Sequence, residues 1–335
     1  MLKNELIKLS DKLAGHKVMV IGDMVADIYL EGKISRISRE APVLVLEHCG
    51  EIVVPGGAAN VVHNAATLGG AVYAVGLIGD DNAGQLLTQK LTEKGVNTAG
   101  FIIDKSRPTI TKTRVMAGGL ATVKQQVVRI DRESKQMPSP QIEAAALEYI
   151  KNNIRDMAAV VMSDYGSGAV TPVIRQFVIE ECKKAAKPCL VDSRYDILSF
   201  AGVTLVKQNE AEAAAAVGYE NLDGDKLIDA GRKLLAKLGA EVVMITLGAQ
   251  GMSLFEKDKV THIPVANVSE VYDVSGAGDT VVVATALALA AGASYVDAAR
   301  LANFAAGVVI KKLGTATTTQ HELKEAIGVY HENCR

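Results

Sequence analysis

The stretch AAVVMSDYGSGAVTPVIRQFVIEECKKAAKPCLVD, residues 158–192, contains the pattern that decides the fold. Two continuous apolar runs, at 158–164 and 189–192, flank a helical pattern at 172–186. Continuous apolar runs are typical of parallel strands that are covered on both faces. The stretch therefore predicts a strand–helix–strand unit of a parallel sheet.

The same alternation extends in both directions along the chain. Further strands are predicted at 17–23, 71–79, 204–209 and 241–248. Further helices are predicted at 57–69, 82–94, 140–155, 209–217 and 225–238. This order indicates an α/β fold with a doubly wound, mostly parallel sheet and helices on both faces. Because such sheets bind ligands at the carboxyl ends of their strands, Asp23, Asp164, Asp192 and Asn209 mark the expected site.

Two segments, approximately 28–54 and 107–131, interrupt this alternation. They mix β-branched residues with charges and turn residues, which is typical of antiparallel strands with one exposed face. One interpretation is a pair of ordinary surface hairpins. The other is a small inserted β-lid that closes over the site. Since no linker or repeat divides the chain, 1–335 is expected to form a single domain.

The composition excludes several classes of protein. With 36 Lys and Arg against 38 Asp and Glu, the chain lacks the basic excess that nucleic-acid binding requires. The apolar run at 281–296 is shorter than the roughly 20 residues of a membrane span. Residues 1–17 form a charged amphipathic pattern unlike a signal peptide. We therefore expect a cytoplasmic protein. Its scattered cysteines suggest neither a disulfide framework nor a zinc site; they are Cys49, Cys182, Cys189 and Cys334.

The stretch DVSGAGDT, residues 273–280, carries the strongest functional signal. Gly276, Ala277 and Gly278 add little bulk, so their N–H groups can approach a ligand, and an apolar helix follows from about Asp279. A helix N-terminus of this kind is an anion hole suited to a transferred phosphoryl group, with Asp279 as a base for a hydroxyl proton. The alternative is an Asp that only caps a glycine-led helix.

A second glycine-led helix start occurs in PGGAANVVHNAATLGG, residues 55–70. Gly56 and Gly57 are expected to bring backbone close to a ligand, and the Asn60 amide can bind sugar hydroxyls as donor and acceptor. Asp23, which ends the first strand, is a charged acceptor for two further hydroxyls. The G-x-G-x-x-G and G-x-x-x-x-G-K-[ST] patterns do not occur, which argues against a dinucleotide-dependent oxidoreductase and a P-loop protein.

Together these two motifs resemble the signatures of the ribokinase/PfkB sugar-kinase family. The resemblance implies ATP-dependent phosphoryl transfer to a sugar hydroxyl, with the 276–279 amides as the anion hole and Asp279 as the base. It also implies that Asn209 and Glu212 help to place Mg²⁺ through water, and that lid strands pair across a homodimer. A requirement for a monovalent cation stays open. The residues implied at the nucleotide site are Thr246, Gly248 and Gly251.

Within the family, residues 32–47, 125–133 and 163–171 resemble the bacterial heptose-7-phosphate kinases of ADP-heptose synthesis. The H-x-G-H signature of the nucleotidyltransferase half of those chains does not occur. This sequence also has Ser167 where the family pattern has Lys, VDSRY at 191–195 in place of an Asp-Pro-Lys type, and KQN at 207–209 in place of a Thr-Pro-Asn type.

These departures leave the acceptor open between heptose 7-phosphate and another sugar or sugar phosphate. A phosphorylated acceptor needs a second anion site, and arginine suits it because its planar fork holds phosphate oxygens. The cations expected there are Arg36, Arg129, Lys112, Arg114 and Arg194. A non-catalytic, sugar-responsive binding protein is the alternative from another class, although such a protein would not need the base.

Overall fold

A computed structural model describes residues 3–118, 124–266 and 271–329 of the chain. Residues 119–123 of the expected lid, Glu270 before the glycine-rich motif and Cys334 lie outside the described residues. Within the described ranges, no helix combines the length and apolarity that crossing a membrane requires.

The main sheet has nine strands in the described part of the chain. They are β1 (Lys17–Gly22), β4 (Ala71–Ile78), β5 (Asn97–Ile103), β8 (Ala159–Asp164), β9 (Cys189–Ser193), β10 (Leu205–Asn209), β11 (Val242–Thr246), β12 (Met252–Phe255) and β13 (Val260–Ile263). Their order across the sheet is β13-β12-β11-β10-β9-β8-β1-β4-β5. The seven strands from β11 to β5 are parallel, and β12 and β13 extend the sheet as antiparallel strands at one edge.

Helices cover both faces of this sheet, as the alternation predicts. Along β1, Val18 and Val20 belong to one apolar core, whereas Met19 and Ile21 belong to the other. One core includes residues of α1 (Lys3–Asp11), α2 (Ala58–Thr67), α3 (Asn82–Thr92), α8 (Ala277–Ala290), α9 (Tyr295–Val309) and α10 (Gln320–Gly328). The other includes residues of α4 (Pro140–Asn153), α5 (Pro172–Lys184), α6 (Glu210–Val217) and α7 (Asp225–Leu238).

A second sheet of four strands contains the two segments that interrupt the alternation, in the order β3-β2-β6-β7. Its strands are β2 (Met24–Ile37), β3 (Leu44–Gly57), β6 (Ile110–Gly118) and β7 (Gln125–Arg132). The two outer pairs are antiparallel, as expected, whereas β2 runs parallel to β6. The whole of β7 is exposed.

The predicted strands and helices are confirmed, with differences of a few residues at their ends. The apolar run at 281–296 is not one helix, because Gly292 has a φ of +85° and separates α8 from α9. Helix α8 also begins two residues before Asp279, at Ala277, with Gly276 as its N-cap. This shift places Asp279 inside the first helical turn.

Candidate active site

Helix α8 begins at the carboxyl edge of the main sheet, beside the ends of β9, β10 and β11. Its first turn and these strand ends line a cavity of about 560 Å³. The cavity brings together most of the residues predicted for catalysis, nucleotide and metal. The predicted residues that line it are Asn209, Glu212, Thr246, Gly248, Gly276, Ala277, Gly278 and Asp279.

Both glycines of the Gly-Ala-Gly turn have close neighbours where a side chain would begin. Gly276 has a φ of +78°, and a Cβ there would lie 2.5 Å from Asn60 Nδ2. A Cβ on Gly278 would lie 2.6 Å from Lys207 Nζ. The missing side chains therefore let an amide and an ammonium group approach the helix start.

The first turn of α8 also defines which amides can face an anion. The N–H of Ala277 donates to the Val274 carbonyl at 3.2 Å. The N–H groups of Gly278 and Asp279 have no acceptor within the helix, because first-turn donors have no preceding turn to bond. These two amides, together with the positive end of the helix dipole, form the candidate anion hole.

Asp279 is buried at this point and its carboxylate has two hydrogen-bond donors. Asn60 Nδ2 donates to Oδ2 at 2.8 Å and the Tyr165 hydroxyl donates to Oδ1 at 3.0 Å. Burial raises the pKa of Asp279 to about 6, with a further increase from Asp192, while Asn60, Lys207 and Tyr165 lower it. The carboxylate is therefore mostly ionised at pH 7 and can accept a proton.

Lys207 and Tyr165 are residues of this site that the sequence prediction missed; Lys207 supplies its buried cation. It is 5% exposed on β10, and its Nζ lies 2.8 Å from Asp192 Oδ2. Burial lowers the pKa of the ammonium group, but Asp192 and Glu212 raise it to a net value above the usual one. A permanently charged cation thus lies beside the anion hole. The sequence signal was the Lys in KQN, which we took only as a departure from the family pattern.

Asn209 and Glu212 form a capping box at the start of α6. Asn209 Oδ1 accepts from the Glu212 N–H at 2.8 Å, and Glu212 Oε2 accepts from the Asn209 N–H at 2.9 Å. Glu212 Oε1 lies 3.9 Å from Arg194 Nε and lines the cavity. In the described part of the chain, no group of three or more His, Cys, Asp and Glu side chains is arranged to hold a metal ion.

A second cavity of about 450 Å³ adjoins the first along Thr246, Gly248 and the start of α8. Its lining is largely apolar and includes Gly251, Met252 and Ile310. A Cβ on Gly251 would lie 2.1 Å from the Ile263 carbonyl, so this glycine is also required by the turn itself.

Asp23 and Asn60, which are predicted to bind the sugar, both have partners within the protein. Asp23 is 1% exposed, and its carboxylate accepts the N–H groups of Tyr165, Ser167 and Ala169 at 2.8–3.0 Å. Burial raises the pKa of Asp23, although these three donors lower it. Asn60 is fully buried and donates to Asp279. Asp23 therefore holds a loop and Asn60 contacts the candidate base, and the binding of a sugar by either residue stays a prediction.

Gly56 and Gly57 also serve internal contacts. A Cβ on Gly56 would lie 2.5 Å from Asp27 Oδ2, and Gly57 has a φ of +53°. Asp27 and the end of β2 therefore approach these two glycines closely, and the approach of a ligand to them stays a prediction.

The cations expected at the acceptor site differ in their surroundings. Arg36 is exposed, and Arg129 pairs with Asp131 through two bonds of 2.9 Å. Of the five, only Arg194 lines a cavity described above. Lys112 and Arg194 lie 5.6 Å and 5.0 Å from the centre of the Tyr165 ring. Arg114 pairs with Asp27 at 2.8 Å.

Comparison with known proteins agrees with this geometry. The sequence pattern described as "pfkB family carbohydrate kinase" matches residues 15–322. The chain belongs to this family of carbohydrate kinases. Among its relatives, "Bifunctional protein HldE" of Desulfatibacillum aliphaticivorans is 45% identical over 309 residues, which cover 92% of this chain and 62% of that protein. The chain thus spans less than two thirds of that bifunctional relative.

Solved structures share the ribokinase-like fold. Arabidopsis thaliana ribokinase complexed with ribose and ATP has a TM-score of 0.71 at 22% identity, covering 94% of this chain and 99% of that one. Phosphofructokinase-2 from Escherichia coli in complex with potassium has a TM-score of 0.75 at 20% identity, covering 94% and 98%. At these identities the likeness establishes the fold alone.

Proposed function

We propose that this chain transfers the γ-phosphoryl group of ATP to a sugar hydroxyl, with Asp279 as the general base. The observation that carries the proposal is the buried, mostly ionised Asp279 carboxylate at a helix start with unbonded amides. The base removes the hydroxyl proton, the hydroxyl oxygen attacks the γ-phosphorus, and ADP leaves. The Gly278 and Asp279 amides and the Lys207 ammonium stabilise the charge on the transferred group.

The two adjoining cavities suit the two parts of the nucleotide. The largely apolar cavity past Thr246 and Gly251 suits a base ring, and the charged cavity beside Lys207 suits the phosphates. Mg²⁺ prefers oxygen ligands and keeps several waters, so Glu212 and Asn209 fit it through water-mediated contacts. When bound, the ion would neutralise charge on the transferring phosphates.

For the acceptor we propose heptose 7-phosphate, because the lid and loop motifs resemble the heptose-7-phosphate kinases. Lys112 and Arg194, next to Tyr165, support an anionic acceptor better than Arg36 or Arg129 does. The alternatives are a kinase for a free sugar and a sugar-responsive binding protein without activity.

A panel of sugars and sugar phosphates, scored for ADP release with ATP and Mg²⁺, tests these alternatives. We expect heptose 7-phosphate to exceed free heptose in kcat/KM, and Lys112→Ala to lose acceptor binding by about 1.5–3 kcal/mol while Arg36→Ala does not. Equal efficiency for both sugars would contradict the phosphorylated acceptor.

The base has its own test. Asp279→Asn keeps the shape and should lower kcat by about 10²–10⁴-fold while sugar and nucleotide still bind. A variant that retained more than half of the wild-type kcat would contradict the assignment. A wild type that binds sugars but releases no ADP would instead favour the binding protein.

We further propose that the second sheet forms a lid and a homodimer contact. Unpaired edge strands and exposed apolar side chains favour pairing with another copy. The exposed apolar residues on this sheet and its turn are Ile34, Ile37, Val43, Leu44, Ile52, Val127, Val128 and Ile130. Sedimentation of the wild type and of Ile37→Lys/Ile130→Lys is the test, and a monomeric wild type would contradict the proposal.

A further inference from the structure

The candidate base already has one donor on each carboxylate oxygen. Asn60 donates to Asp279 Oδ2 from α2, and Tyr165 donates to Oδ1 from the loop that follows β8. Each carboxylate oxygen can accept more than one hydrogen bond. Both donors can therefore stay in place while a substrate hydroxyl binds, which makes them candidates for orienting the base.

Tyr165 belongs to a loop that is fixed from several sides. The Asp23 carboxylate accepts the N–H groups of Tyr165, Ser167 and Ala169. The buried Arg107 guanidinium donates to the Ser167 carbonyl at 3.1 Å. A loop with this many charge-assisted bonds holds its side chains in one position, because each bond limits the backbone independently.

The Tyr165 ring is also held by cations. Lys112 Nζ from β6 and Arg194 Cζ from the loop after β9 lie within 6 Å of the ring centre, the distance at which a cation is attracted to an aromatic face. The ring thus connects the second sheet, the strand ends and the candidate base.

We propose that Tyr165 is a positioning residue for phosphoryl transfer, whose hydroxyl orients the Asp279 carboxylate and stabilises its charged form. Asp23 acts through it, by fixing the loop that carries the ring. The inference rests on the proposed role of Asp279 as base.

The electrostatics of Asp279 support this role. The charged and titratable groups that face it are Tyr165, Asp192 on β9 and Lys207 on β10. Asp192 opposes ionisation of Asp279, whereas Lys207, Asn60 and Tyr165 favour it. Burial, and then the Asp279 charge, raise the pKa of the Tyr165 phenol well above its usual value. The phenol therefore remains a donor throughout the working pH range.

The experiment removes only this donor, by Tyr165→Phe. The titration of Asp279 is followed by ¹³C NMR of labelled aspartate carboxyls, with the signal assigned by Asp279→Asn. Loss of a charge-assisted bond should raise the midpoint by about one to two pH units. The acid limb of kcat should move by the same amount, while KM for the acceptor stays within about threefold because Tyr165 is proposed to act on the base.

The size of the rate effect follows from the midpoint. A rise from about 6 to about 7–8 leaves roughly half to a tenth of Asp279 ionised at pH 7, so kcat there should fall about two- to tenfold and recover near pH 9. Recovery at high pH would not follow from a merely structural defect. Tyr149→Phe is the matched control, since that hydroxyl donates to Asn97 on β5.

A second substitution should shift the titration of Asp279 in the opposite direction. Difluorotyrosine at position 165 is a stronger hydrogen-bond donor than tyrosine and keeps every atom of the contact. It should move the titration midpoint of Asp279 and the acid limb of kcat to lower pH. The same titration midpoint of Asp279 in the wild type, in Tyr165→Phe and in the difluorotyrosine variant would overturn the inference. Failure of the proposed function would be seen in a different experiment, because Asp279→Asn would then retain the kcat of the wild type.

Discussion

The Lys207–Asp192 pair allows the role of the missed cation to be separated from its contribution to stability. The two charges are 2.8 Å apart, and their side chains are 6% and 13% exposed. Lys207→Met keeps the length of the side chain but leaves Asp192 as an unpaired buried charge. Breaking one partner of a buried pair costs about 3–5 kcal/mol, so the free energy of unfolding should fall by that amount.

A second substitution should restore the fold but not the reaction. In Lys207→Met/Asp192→Asn neither member of the pair is left as an unpaired charge, and replacing a whole buried pair is often close to neutral. Most of the lost free energy of unfolding should therefore return in urea denaturation. Loss of one preorganised charge partner of the transferred phosphoryl group costs about 10²–10³ in kcat, and this loss should persist in the double variant.

Urea denaturation and ADP release together separate the two roles of Lys207. Both are measured for the single and double variants and for Lys184→Met. This control removes a surface pair with Glu181 and should change neither stability nor rate. A double variant that regained more than a tenth of the wild-type kcat would show that Lys207 only stabilises the fold, and the reasoning would be refuted.

Three further predictions follow from Asp279 and the second sheet. Since burial raises the pKa of Asp279 to about 6, kcat should fall with an acid limb near pH 6, and a pH profile without that limb would contradict its role as base. Because the pKa of Asp279 is raised on folding from 3.8 to about 6, the wild type loses stability as pH rises between these values. Asp279→Asn should therefore be more stable than wild type by about 1–3 kcal/mol at pH 8 and nearly as stable as wild type at pH 4. Urea denaturation that gave the same difference between variant and wild type at both pH values would count against the raised pKa. Hydrogen exchange in 28–54 and in the described part of 107–131 should slow on sugar binding, and unchanged protection would argue against a lid.

The positions of most main strands along the chain were predictable because a strand covered on both faces has a nearly continuous apolar run. β12 and β13 have only four residues each, too short for a run to stand out. β5 was missed because its sequence, NTAGFII, begins with residues that suit turns. Periodicity could not divide 281–296 either, since α8 is apolar on every side and carries no amphipathic signal.

The residue types of the site were predictable, but their partners were not. A buried Asp or Asn satisfied by the protein has the same sequence signal as one that binds a sugar. Sequence does not reveal that Asp23 accepts three N–H groups of the 165–169 loop or that Asn60 donates to Asp279, and their predicted contacts with a sugar stay predictions. Only the spatial neighbours of each group distinguish the two cases.

The three departures from the family pattern can be explained together by where the structure places its positive charges. Ser167 is 4% exposed; its N–H donates to Asp23 and its carbonyl accepts from Arg107. This position therefore fixes the loop and supplies no charge. The positive charge comes instead from Lys207 on β10, beside Gly278, and from Arg194, which lies against Tyr165 and near Glu212. A cation on a buried strand is more rigidly placed than one on a loop, because its backbone is bonded on both sides. On this reasoning Ser167→Lys should not rescue Lys207→Met, since Ser167 is buried and does not line the cavity that contains Lys207 and Gly278.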